Sequence, residues 1–186
     1  CNAIFQSHIC ATHPLNGCAR QAHRLTLQIG ERRMTLVDLP GIGETPQHDQ
    51  EYRALYRQLL PEVDLIIWIL RADERAYAAD ITMHQFLLNE GADPSRFLFV
   101  LSHADRVFPA EEWNATEKSP SRQQALSLAT VTARVATLFP SSFPVLPVAA
   151  PVGWNLPALV SLMIHALPPQ ATSAVYSHIR GENRSE

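Results

Sequence analysis

Three short segments of this 186-residue sequence put a carboxylate or a small residue directly after a run that reads as a β-strand. Asp38-Leu39-Pro40-Gly41 ends RMTLVD, Ser102-His103-Ala104-Asp105 follows FLFVL, and Val148-Ala149-Ala150 follows PVLP. In open α/β sheets, ligands bind at the carboxyl ends of strands. An Asp there can hold Mg2+, directly or through water, and a Gly three residues later lets a backbone N–H come close to a phosphate. An Asp after the second strand can accept both N1–H and N2–H2 of guanine, a pairing adenine does not offer. A backbone N–H in the third segment can meet the guanine O6.

Each segment alone is weak. Asp and Gly coincide at the DxxG spacing about once in 250 positions on average composition. Asp105 alone reads equally well as a turn residue closing a strand, and Val148-Ala149-Ala150 alone carries almost nothing. Order and spacing raise their joint value: 67 residues separate Asp38 from Asp105, 45 separate Asp105 from Ala150, and each segment closes a strand.

The elements that must position them follow from periodicity. Residues 23–30 (HRLTLQIG) and 33–39 (RMTLVDL) alternate around a short connection and predict an antiparallel hairpin. Residues 47–60 carry Tyr52, Leu55, Tyr56, Leu59 and Leu60 at helical spacing, and Pro61 ends the helix. Residues 64–70 (DLIIWIL) are apolar on both faces, which predicts a central parallel strand covered by helices on each side, with Trp68 in the core. Helix 78–90 closes at Gly91, strand 97–101 follows, then helix 121–138, strand 144–148 and helix 156–167. Residues 108–120 read as an irregular surface loop. The alternation predicts an α/β fold with a mostly parallel, doubly wound sheet over residues 1–167, followed by a flexible polar tail, 168–186.

Composition narrows the classes further. Eighteen acidic against fifteen basic residues give a formal charge of −3, so no sequence-wide basic field favours nucleic acid or anionic membrane. The longest apolar run, Leu65 to Leu70, is far short of the roughly 20 residues a membrane span needs. No secretory signal opens the chain, and the expected location is the cytoplasm. Cys1, Cys10 and Cys18 contain no CxxC pair and argue against a disulfide framework. His8, Cys10, His13, Cys18 and His23 form a second, weaker candidate, a zinc site whose spacing departs from that of structural knuckles. Arg20, Arg24, Arg32 and Arg33 form a modest basic cluster at the hairpin, readable as an exposed turn or as a contact for RNA. Asp73-Glu74 and Glu111-Glu112 read as solvated charge.

DLPGIGE, EYRALYRQLLPEVDLIIWILRADERA, LSHADRVFP and VAAPVGWNLPALVSLM resemble successive blocks of the Era/TrmE-type bacterial GTPases. Within that group they are most similar to the prophage-associated YfjP/YkfA/YeeP set, described as ribosome-binding GTPases. The resemblance implies a Ras-like GTP-binding domain that uses GTP and Mg2+, with the ribosome or ribosomal RNA as partner. It assigns Asp38 to the metal, Gly41 to the γ-phosphate, Ser102, His103 and Asp105 to the base, and Ala149 and Ala150 to the loop facing guanine O6. Nowhere is there GxxxxGK[ST], the loop that cradles the phosphates. CNAIF looks like its continuation, so the first strand and phosphate loop are expected upstream or lost, leaving an unpaired edge beside the central strands. Ala19 stands where the family's switch segment has a metal-binding Thr. His103 replaces a Lys, Ser102 replaces Asn or Thr, and Ile42 occupies the position of a water-orienting Gln. These departures make impaired nucleotide use the expectation, leave the catalytic set empty, and keep a non-enzymatic remnant as the alternative.

Overall fold

The computed structural model describes residues 23–29, 32–42 and 46–168. The N-terminal Cys/His segment with Ala19, and the tail beyond residue 168, lie outside the described residues.

Strands β1 (His23–Ile29) and β2 (Arg32–Asp38) form the expected antiparallel hairpin, with His23 opposite Asp38 and Ile29 opposite Arg32. Helix α1 (Pro46–Leu59) buries Tyr52 and Leu59 on one face, and a 3-10 turn at Leu60–Glu62 built on Pro61 ends it. Strands β3 (Ile66–Arg71), β4 (Phe97–Ser102) and β5 (Leu146–Pro147) form a parallel sheet in the order β3-β4-β5. Helices α2 (Ala78–Asn89), α3 (Arg122–Leu138) and α4 (Leu156–Ala166) complete the fold. Gly91, at φ 92°, closes α2, a left-handed position that glycine takes without strain.

Strand β4 is the core. From Phe97 to Leu101 every residue is buried, and alternate side chains serve opposite faces. Phe97, Phe99 and Leu101 pack with Leu87 of α2 and with Leu128 and Val135 of α3, while Leu98 and Val100 pack with Leu159 and Met163 of α4. The predicted doubly wound α/β architecture is therefore present.

Three expectations need correction. Residues 64–70 read as the central strand, yet among the described residues β3 pairs only with β4, and Ile69 is 62% exposed. Apolar content on both faces signals helices above and below; it does not report how many edges are paired. Strand 144–148 shrinks to two residues because Pro144 and Pro147 have no N–H to donate to a ladder. Segment 108–120 is not merely a surface loop: Pro109 is buried, Trp113 is half-buried, and Asn114 bridges Ser119.

The sheet is divided. β2 and β3 do not pair with each other, and a cavity of about 540 Å3 lies between them, lined by Val37 and Asp38 on one side and Ile67, Trp68 and Ile69 on the other. Among the described residues each of these two strands has one edge without a strand partner.

His84 of α2 is buried against the aromatic face of the sheet. Its ring meets Phe97, Phe99 and Phe139 edge-on at centroid distances of 4.8, 5.4 and 5.5 Å. Its Nε2 has no hydrogen-bond partner among the described residues, and burial pushes its pKa down. The unfolded chain then takes up a proton at higher pH than the folded one. His84 contributes its full stability above about pH 6.5 and loses it as pH falls below that value, by at most about 1.4 kcal/mol per unit. Urea midpoints at pH 7, 6 and 5 should fall in the parent chain and flatten in His84→Leu; parallel curves for the two proteins would contradict a neutral, buried imidazole.

Candidate functional site

At the carboxyl end of β4 the chain turns sharply. His103 adopts φ 57° and ψ 37°, a left-handed conformation uncommon for a residue with a side chain, and a 3-10 turn over Ala104–Arg106 follows. Strained backbone of this kind persists only where its surroundings hold it. Here Ala104 N–H donates to the Val148 carbonyl at 3.1 Å, and Ala72 N–H donates to the Ser102 carbonyl at 2.8 Å. The Ser102 hydroxyl donates to the Leu70 carbonyl at 2.9 Å, so its oxygen accepts from Nδ1 of His103 at 3.1 Å.

Asp105 sits in that turn. Its Oδ1 is buried and has no hydrogen-bond partner among the described residues. A carboxylate oxygen removed from water without a donor costs stability, so the turn presents an acceptor waiting for donors. The brace behind it is Gln124, fully buried in the first turn of α3. Its Nε2 donates to the Val107 carbonyl at 3.1 Å and to the Asp105 carbonyl at 3.4 Å, while its Oε1 accepts from Ser121 N–H. The Ser121 hydroxyl in return accepts from Gln124 N–H, closing a capping box.

The loop after β5 is adjacent. Ala149 is buried, and its N–H and C=O are both taken up by the backbone of Trp154, whereas Ala150 is exposed and opens the next 3-10 turn. Trp154 meets Trp113 edge to face at 5.7 Å, joining the segment after β4 to the one after β5.

Asp38 and Gly41 lie elsewhere, on the cavity between β2 and β3. Asp38 is exposed, and an added Cβ at Gly41 would meet nothing within 4 Å, so internal packing does not demand glycine there. The Tyr56 hydroxyl donates to the Pro40 carbonyl at 2.6 Å and ties this loop to α1; burial pushes the Tyr56 pKa up. The fold thus brings Ser102, His103 and Asp105 together with Ala149 and Ala150. No hydrogen bond among the described residues links that group to Asp38 or Gly41. The two acidic pairs read as solvated charge are more engaged than that, since Asp73 binds Arg71 at 2.7 Å and Glu112 accepts from the Ser121 hydroxyl at 2.7 Å. Arg24 of the basic cluster pairs with Glu62 at 2.8 Å.

Sequence reasoning missed Gln124, Tyr56 and the Trp113–Trp154 pair. The Ser-x-x-Gln spacing from 121 to 124 is a readable helix-start signature. Tyr56 was absorbed into the apolar face of its helix, and nothing local announces the tryptophan pair.

Gln124→Ala removes half of a capping box and leaves the Val107 carbonyl buried without a donor. The loss should come to about 2 to 4 kcal/mol, read from denaturant midpoints, with faster amide exchange at Arg106 and Val107. A loss within 0.5 kcal/mol, the range of ordinary surface changes, would show that the turn holds itself.

The sequence model of the 50S ribosome-binding GTPase family matches residues 1–103. Over 177 residues the chain is 37% identical to YfjP of Escherichia coli (strain K12), covering 94% of this chain and 59% of that protein. Over 185 residues it is 35% identical to YkfA of the same organism, covering 100% of this chain and 63% of that protein. The chain therefore spans under two thirds of the length of these relatives. Among solved structures, Era of Aquifex aeolicus with GDP and AlF4- bound superposes with a TM-score of 0.65 at 21% identity, over 90% of this chain and 51% of that one. At that identity the likeness speaks for the fold, a Ras-like G domain. The family match covers more than half of the sequence, and the chain belongs to the 50S ribosome-binding GTPase family.

Proposed function

We propose that this chain carries the guanine-reading half of an Era-like GTP-dependent switch. The observation that supports this best is the buried, unpartnered Oδ1 of Asp105 in a strained turn braced from behind by Gln124. A carboxylate so held suits the N1–H and N2–H2 donors of guanine. Ser102 holds the turn, the His103 ring covers the base, and Ala150 offers its N–H to O6, while Ala149 packs beneath. Asp38 would serve Mg2+ at the phosphate end, completed by phosphate and water oxygens, since no group of three or more metal-binding side chains occurs among the described residues. Gly41, free of internal packing demands, would admit the γ-phosphate. Bound Mg2+ would neutralise phosphate charge.

The phosphate end is weak in this chain. The sequence has no GxxxxGK[ST], and Ile42 offers no group to orient water. We assign no catalytic residue and place the protein's action in the cytoplasm; no described helix is long and apolar enough to cross a membrane. The ribosome is the partner we propose, following the family's description. The departures at Ile42 and His103 also favour a second reading, a non-enzymatic protein with the G-domain surface and no useful nucleotide binding.

Without phosphate contacts, guanine recognition alone must offset the entropy of association. Isothermal titration of the 186-residue chain should give a GTP dissociation constant weaker than about 1 μM, equivalent to −8.2 kcal/mol. Sub-micromolar binding would refute the impairment. To test the base site, a strand and a GxxxxGKSSL segment are grafted ahead of Cys1. There Asp105→Asn should lower GTP affinity about 5- to 150-fold and shift preference toward xanthosine triphosphate, whose 2-carbonyl accepts from the new amide. Equal loss of both nucleotides, or no change in either, would reduce Asp105 to a strand-end residue.

A further inference from the structure

Gln124 does more than the start of a helix requires. A capping box needs from its third helical residue only a side-chain oxygen, which glutamate supplies as well as glutamine. That oxygen is in use here. Oε1 accepts from Ser121 N–H at 3.2 Å, and the Ser121 hydroxyl, which donates to Glu112 at 2.7 Å, accepts from Gln124 N–H at 3.1 Å. The amide nitrogen is surplus to the helix, and it donates instead to the carbonyls of Val107 at 3.1 Å and Asp105 at 3.4 Å. The side chain is fully buried, and turning its amide over would set NH2 against the Ser121 N–H and oxygen against two carbonyls. One orientation is left.

Both carbonyls belong to the chain that carries the carboxylate. The turn's own bonds, from Arg106 N–H at 3.0 Å and Val107 N–H at 3.5 Å, take the carbonyls of His103 and Ala104. Gln124 takes the next carbonyl, that of Asp105, and the one that leaves the turn, that of Val107. Holding the Asp105 carbonyl fixes the plane of the peptide after its Cα, and with it the direction in which the side chain departs. Direction matters for what is read. Accepting N1–H and N2–H2 of guanine together requires both carboxylate oxygens near the plane of the base, whereas the lone N1–H of hypoxanthine tolerates a broad range of angles.

Resting on the reading of Asp105 as the guanine acceptor, we propose that Gln124 is the positioning residue for base discrimination. It touches no nucleotide. Through the Asp105 carbonyl it sets the carboxylate angle at which the 2-amino group of guanine is accepted.

The test compares GTP with ITP, which lacks the 2-amino group, by NMR titration of the 186-residue chain. The parent should prefer GTP about fivefold or more, the lower end of what one lost buried contact costs. Gln124→Met keeps the length and loses the donors; Gln124→Glu keeps the capping oxygen and loses them too. Both should compress the preference to within about twofold. Val135→Ala, a cavity on the same helix away from the turn, should lower the melting temperature and leave the preference intact. Loss of stability alone weakens both nucleotides equally, so the ratio separates positioning from support. A parent that prefers GTP while Gln124→Met prefers it as strongly would overturn the assignment and leave the base reading standing. A parent that takes both nucleotides alike, or neither up to about 10 mM, would overturn both. Should neither Gln124 variant fold, the side-chain amide protons of Gln124 in the parent decide. Slow exchange and a shift on adding GTP are expected there, and rapid exchange or an unmoved resonance would overturn the assignment.

Discussion

Strand β4 is the constraint from which the rest of this structure follows. A strand buried on both faces, paired with β3 along its whole length and with β5 at Val100 and Leu101, fixes what can pack against it. Phe97, Phe99 and Leu101 fix where α2 and α3 can lie, and Leu98 and Val100 fix α4. The turn that follows inherits this rigidity. Ser102 through Asp105 leaves β4 with its direction set by β3 through Leu70 and Ala72 and by β5 through Val148. His103 can therefore be held left-handed at the point where a ligand would be read.

How much of this could be read from residues alone depended on the range of the interaction. Strand and helix positions came from spacing of two or of three to four residues, and they agree within a residue or two except at β5, where two prolines shortened the ladder. The turns carrying Asp38 and Asp105 were also readable, because they close strongly patterned strands. The pairing of β3 was not, since IIWIL satisfies the requirements of a covered strand whether one edge or two are bonded. Nor were the bonds from Gln124 to Val107 and from Tyr56 to Pro40, which join positions 17 and 16 residues apart. No local pattern encodes such contacts.

The two halves of the candidate site are held by different kinds of force. Around Asp105 the restraints are hydrogen bonds made inside the core, where low dielectric strengthens each bond and raises the cost of leaving any group unpaired. Among the described residues the Asp38–Gly41 loop is held at its middle by the Tyr56 hydroxyl and borders open space. The switch proposed above would then read a base with its more tightly held half.

The perpendicular contact between Trp113 and Trp154 has an entropic consequence. It joins the segment after β4 to the turn after β5 through side chains that have only two rotatable bonds each. Two loops linked in this way cannot wander independently, so if they hold a planar base as proposed, part of the freedom each would lose has already been surrendered in folding. Association would then order fewer torsions, and the preorganised pair would convert contact energy into affinity with less loss than two separate loops could.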